Sequence, residues 1–367
     1  MIQMNFQKHY QIIHFTNEIG KNRFGGVGTY INEWYAAKEN NIGFVYLYDS
    51  MKSDIYIDDF PGKDHILAIP LERIKKINDI SFDIGVIHYY GMQTLLDEDI
   101  FLHKRLVYVI HCIPSTEPYN LEDPFGKSDI HQDFQRMCEK ADLIICVSSD
   151  SKNKLIQIFP QFKEKTHVIY NGLNQTTPST TTDSETVYHR KKFGYIGRLE
   201  YRKGLMECLT SVKDKDVELY IACGNDDPFY LSGVLDYIEG ANMLNRVHFL
   251  GLCQGERKWT MLREMDAIII PSLYESFGYV LLEAMFARVP VICTSIGGIK
   301  EILGDYKYQF NPYIRGDLQA CISSFQEDKN SEITTQLDNL VSRTDLFTTP
   351  IMIEKYKTLF SEQFSIN

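Results

Sequence analysis

PSLYESFGYVLLEAM, residues 271 to 285, packs a strand end, a tight turn and a helix start into one short stretch. Its first residues close the unbroken apolar run DAIIIPS (266 to 272), the pattern of a strand buried on both faces. Ser276, Phe277 and Gly278 supply the turn, and the helical spacing of Val280, Leu281, Ala284 and Met285 sets the helix start near Gly278. Two glutamates frame the turn, Glu275 before it and Glu283 inside the helix. Were the segment helical throughout, roughly 12 Å of helix axis would separate them.

A ligand of that span with hydroxyls at both ends and phosphates between them is a nucleotide-sugar. Carboxylates accept hydrogen bonds from vicinal hydroxyls, and the backbone N–H groups of Phe277, Gly278 and Tyr279 suit a phosphate at a helix N-terminus. Taken alone, the pair reads more simply as two charges on a solvated helix. The motifs around it outweigh that reading.

The apolar runs alternate with amphipathic segments from end to end. The first half reads as strands at 10 to 16, 43 to 48, 66 to 70, 82 to 90, 105 to 114, 142 to 149 and 166 to 172, with helices TYINEWYAAKEN and DIHQDFQRMCEKA between them. After a Thr/Ser-rich stretch the pattern restarts at 191 to 199, 217 to 224, 246 to 251, 266 to 272 and 289 to 295. This predicts two doubly wound α/β domains: residues 1–172, a linker 173–190, residues 191–347, and a C-terminal helix at 348–367 that could return to the first domain. Ligands of such folds bind beyond the carboxyl ends of the strands, here in a central cleft that the two domains face.

Arg198 and Lys203 follow the strand KKFGYIG and offer two cations to a diphosphate that gains charge as its bond to a sugar breaks. Gly25, Gly26 and Gly28 precede the first helix, where glycine tolerates positive φ and lets a phosphate approach the backbone. Their spacing is not G-x-G-x-x-G, so a dinucleotide is disfavoured. His111 ends a central strand and is expected to face the ligand, whereas His88, ending its neighbour, fits a structural hydrogen-bonded role equally well.

Composition excludes other classes. The formal net charge is −11 with no basic half, which argues against nucleic acid as a partner. Hydrophobic residues make up 44% and charged ones 24%, as in a soluble globular protein, and no run is long enough to span a bilayer. A cytoplasmic protein is expected, with peripheral membrane contact left open because ERIKKIND is only a small basic cluster. The eight cysteines form no C-x-x-C pair, so neither a zinc site nor a disulfide framework is expected.

In order, GGVG, IH at a strand end, YNG, GRLEYRKG, PSLYESFGYVLLEA and TSIGGIKEIL resemble the retaining GT-B glycosyltransferases of family 4, the group 1 glycosyltransferases, over nearly the whole chain. The resemblance implies that Glu283 binds the ribose hydroxyls and that Arg198 and Lys203 bind the diphosphate. Glu275, Ser276 and the Phe277 to Tyr279 backbone would hold the donor sugar, with His111 near its anomeric centre and Gly25 and Gly26 beside the phosphate. It implies a nucleotide-sugar co-substrate, most often UDP-linked, no metal or other cofactor, and a saccharide, lipid-linked sugar or small molecule as acceptor. Two alternatives are a catalytically silent glycosyltransferase-like subunit and a sugar-nucleotide epimerase of the same fold. Arg288 stands where the family usually has a helix-capping glycine and is expected to shift that cap, and Asn174 stands where an aspartate is common.

Overall fold

The computed structural model describes residues 9–18, 25–48, 66–89, 92, 94–97, 99–114, 129–174, 191–224 and 227–365. It divides into two compact units, Met1–Asn174 with Phe347–Asn367, and Gln175–Leu346. The Thr/Ser-rich linker of the sequence reading lies almost wholly outside the described residues.

The first unit is built on a parallel sheet of seven strands: β1 (His9–Thr16), β2 (Ile42–Tyr48), β3 (Ile66–Pro70), β4 (Ser81–Ile87), β5 (Arg105–Ile110), β6 (Leu143–Cys146) and β7 (Thr166–Val168). Their order is β3-β2-β1-β4-β5-β6-β7, a doubly wound sheet that reverses direction beside β1. The second sheet has six: β8 (Lys191–Ile196), β9 (Val217–Ala222), β10 (Val247–Phe249), β11 (Ala267–Ile270), β12 (Val291–Thr294) and β13 (Gln309–Phe310), ordered β10-β9-β8-β11-β12-β13. All pairings within both sheets are parallel.

Most apolar runs outlast their strands. The run 142 to 149 stops as a strand at Cys146; Ser148 accepts the Ser151 N–H and starts the helix Ser149–Ile158. Hydroxyl capping, not hydrophobicity, sets that boundary. The run 105 to 114 ends at Ile110, so His111 follows β5 instead of belonging to it. The first helix spans Gly26–Ala36, earlier than TYINEWYAAKEN suggests, with Gly25 at its N-cap.

The C-terminal segment belongs to the first unit. Leu173 donates to the Phe347 carbonyl, and Glu33 accepts from Asn174 N–H at 2.8 Å and Thr349 Oγ1 at 2.6 Å. The helix Thr349–Phe364 then sets Tyr356 edge-on to Trp34 of the first helix, ring centres 5.2 Å apart.

Candidate functional site

The second unit gathers the strongest candidates around the end of β11. Gly204 closes the GRLEYRKG segment with φ +71°, and a Cβ there would lie 2.1 Å from the Pro271 carbonyl oxygen. Only glycine allows that approach. Leu273 N–H also donates to the Arg202 carbonyl at 2.8 Å, which ties the cationic segment to the strand end.

Lys203 thereby reaches Glu275: Nζ lies 2.5 Å from Oε1, and Ser272 Oγ donates to the same oxygen at 2.9 Å. Burial opposes ionisation of Glu275, but the Lys203 ammonium, Arg202 and the two hydrogen bonds outweigh it and hold the carboxyl below its ordinary range. Burial pushes the Lys203 ammonium down, partly offset by Glu275. Lys203 is thus half of a part-buried ion pair rather than a free cation. Arg198 is not free either: Glu200 takes Arg198 Nη1 on Oε1 and Arg202 Nε on Oε2, both at 2.7 Å.

The helix that follows spans Tyr279–Phe286, with Gly278 at its N-cap in the left-handed region, φ +108°. A Cβ on Gly278 would sit 2.6 Å from Ile299 Cγ1, so this glycine is required for conformation and for space. Ser276 and Phe277, in the turn, are buried. Glu283 is only 3% exposed, and Lys258 of the helix Gly255–Arg263 pairs with its Oε1. Among the described residues Glu275 Oε2 and Glu283 Oε2 have no hydrogen-bond partner, which leaves each carboxylate one oxygen for a ligand.

Sequence reasoning missed Lys258, Glu200, Arg202 and Ser272. Lys258 lies in GERKWTML, where it resembles any surface lysine, and its partner is 25 positions away.

Arg288 corrects an expectation. It takes φ +56°, and its N–H bonds Met285 O while Val289 N–H bonds Ala284 O, the Schellman pattern. The cap is therefore kept, not shifted; a salt bridge to Asp338 at 2.5 Å accompanies the unfavourable backbone.

In the first unit, Gly25 is extended (φ −171°) with open space at its Cβ position, and Gly26 is absent from the positive-φ residues, so neither uses glycine's left-handed freedom. Glu18 Oε2 accepts the Gly28 N–H at 2.9 Å, and a carboxylate of the chain already occupies that helix start. His111 is half-buried beside Tyr30, ring centres 5.0 Å apart, and bonds His88. Burial pushes its pKa down to about 3. Among the described residues no group of three His, Cys, Asp or Glu side chains could hold a metal ion, and no helix is long and apolar enough to cross a membrane.

Residues 182–351 match the family model for glycosyl transferases group 1, and residues 54–176 match that for Glycosyltransferase Family 4. The chain belongs to the group 1 glycosyltransferases of family 4. An uncharacterised glycosyltransferase of Methanocaldococcus jannaschii is 32% identical over 188 residues, 46% of this chain and 47% of that protein. A second from the same organism is 28% identical over 77% of this chain and 78% of its own. The D-inositol 3-phosphate glycosyltransferase of Corynebacterium diphtheriae is 26% identical over 66% of this chain and 61% of its own. This glycosyltransferase spans about half the length of several curated relatives that it matches.

Among solved structures, Anabaena HepE in complex with UDP and glucose aligns over 96% of this chain and 100% of its own at TM-score 0.79 and 19% identity. Sucrose-phosphate synthase from Thermosynechococcus elongatus aligns over 97% and 100% at TM-score 0.76 and 15% identity. At those identities the likeness is one of fold, and the fold of this glycosyltransferase is GT-B.

Proposed function

We propose that this glycosyltransferase moves a sugar from a UDP-linked donor to an acceptor, retaining the anomeric configuration and using no metal. The observation that carries the reading is the pair of glutamates around the Tyr279 helix start, Glu283 buried and Glu275 partly so, each with one oxygen held by a lysine and one open. Charged acceptors of this kind suit hydroxyl-bearing groups, and the helix start between them suits phosphate. Glu283 takes the ribose hydroxyls. Glu275 takes the sugar, with the Ser276 to Tyr279 turn, and Lys203 has two further N–H donors for the diphosphate. Arg198 joins it, leaving Glu200 to Arg202. His111 attends the anomeric end, and Gly25 and Gly26 lie beside the phosphate, with the Gly28 N–H kept by Glu18. The HepE complex with UDP and glucose supports the choice of nucleotide.

As the sugar–oxygen bond breaks, charge grows on the leaving phosphate; Lys203 and Arg198 stabilise it there, and the phosphate takes the acceptor's proton on the same face. The setting this implies is cytoplasmic, with a saccharide, small-molecule or lipid-linked acceptor.

The test is incubation with UDP-, GDP- and ADP-sugars and an acceptor panel, with and without EDTA, followed by proton NMR of the first product. Retained configuration and activity undiminished by EDTA are expected. An inverted linkage, or loss on chelation that added metal restores, assigns the enzyme to another mechanistic class. His111→Ala should impair transfer while leaving UDP affinity unchanged; weakened UDP binding in that variant would move His111 to the nucleotide.

A further inference from the structure

Three histidines of the first unit stand in a hydrogen-bonded row that the sheet builds. His14 of β1 lies opposite Val86 of β4, and Ile87 of β4 lies opposite Tyr108 of β5. Side chains on one face recur every second residue, so His88, two past Val86, shares the face of His14. Continuing the register one step sets Val109 beside His88, and His111 lies two residues further on.

His14 Nδ1 is 2.9 Å from His88 Nε2, and His88 Nδ1 is 3.2 Å from His111 Nε2. His14 is fully buried, stacked on Phe44 and near coplanar with His88, with its ring centre 4.8 Å from that of Trp34. Burial keeps the row neutral: it pushes His14 and His111 down to about 3 and lowers His88, whose two histidine neighbours add to the effect.

Three neutral imidazoles carry three protons, and each of the two bonds uses one. The third sits at an end of the row, on His14 Nε2 or on His111 Nδ1. His14 Nε2 is buried with no partner among the described residues, and so is the indole N–H of Trp34 beside it, which can only donate. A proton on His14 Nε2 would be a fully buried donor without an acceptor, at the cost of an unmet hydrogen bond, whereas His111 is only half-buried and its Nδ1 is not a buried unpartnered atom. The third proton therefore belongs on His111.

We propose that His14 and His88 are positioning residues that fix His111 in the Nδ1–H tautomer, so that it offers the donor sugar a hydrogen-bond donor and cannot serve as a base. This rests on the assignment of His111 to the sugar end of the site. A base at this position would need the opposite tautomer, with the proton of every ring in the row moved from Nδ1 to Nε2, across its own ring toward the His14 end.

The test is nitrogen–proton correlation NMR of the full chain labelled with nitrogen-15 histidine, the His111 signals being assigned with His111→Gln. This reads the tautomer whether or not the transfer assay succeeds. Protonated Nδ1 and bare Nε2 on His111 are expected; a proton on Nε2, or averaging between the two, overturns the proposal. His88→Phe removes the donor to His111 and should shift its tautomer, lowering kcat about fivefold to tenfold, the size of one hydrogen bond, with donor KM unchanged. His88→Asn keeps an amide N–H near the lost Nδ1 position and should restore most of the loss. Equal loss in both variants, or an unmoved tautomer in His88→Phe, reduces the row to packing.

Discussion

The two units solve the burial of polar candidates in opposite ways. In the first, His14, His88 and His111 are kept neutral among Tyr30, Trp34 and Phe44 and bond one another. In the second, Glu275 and Glu283 are each matched with a lysine, and Glu275 stays ionised despite its burial. Neutral buried groups lose stability when they are forced to charge, whereas buried pairs lose it when one partner disappears. The two halves should therefore fail under different perturbations.

The largest effect expected is Lys203→Met. It leaves a part-buried carboxylate without its partner, a change that costs up to about 3 kcal/mol, and it removes the cation facing the leaving diphosphate, costing about 100-fold in turnover. Adding Glu275→Gln should recover much of the melting temperature but not the turnover. If stability is unmoved by the single variant, the pair carries no structural weight and the contrast between the units fails.

Acid should separate the units next. His14 titrates at about 3 in the folded chain against an ordinary 6.5, so between those values the unfolded chain binds protons that the folded one does not. Stability falls as pH drops below 6.5, by up to about 1.4 kcal/mol per pH unit for each such histidine. Glu275 is lowered too, but from the more acidic carboxyl range: its contribution is full above that range and is lost only as pH falls through its lowered value. Hydrogen exchange at pH 5 should show β1, β4 and β5 loosening while β8 and β11 stay protected. Simultaneous loosening would break the comparison.

Glu283→Gln should weaken UDP binding by about 1.5–3 kcal/mol, the value of a hydrogen bond to a charged group, measured by calorimetry. An unchanged dissociation constant removes the ribose from Glu283. The smallest effect is that of Arg288→Gly. It relieves a left-handed backbone but gives up an exposed ion pair worth about 0–1 kcal/mol, so the net change in melting should be slightly stabilising, under about 1 kcal/mol. A clear loss would show that the Asp338 contact outweighs the backbone.

The alternation of apolar runs, read locally, locates twelve of the thirteen strands among the described residues. Only Gln309–Phe310 escapes, because two residues hold no period. Overlong strand ends have one cause: apolar residues such as Val147 and Ile113 stay buried after the ladder has stopped, so hydrophobicity outlasts hydrogen bonding. Glu275, Glu283, Arg198 and Lys203 were visible because their motifs are contiguous with strand ends and helix starts.

The pairings were not visible. Lys203 with Glu275 spans 72 positions, Lys258 with Glu283 spans 25, and His14 with His88 spans 74. Each depends on sheet register and helix placement, which set distances that no local pattern records. For the same reason a residue type that disfavours a left-handed cap could not reveal that Arg288 adopts one: the helix end and Asp338, from a different helix, decided it together. The sequence determined the residue chemistry and the order of elements, through periodicity and turn-forming residues. Tertiary structure decided which charges neutralise one another and which histidines share protons, because both follow from separations of a few ångströms between distant segments.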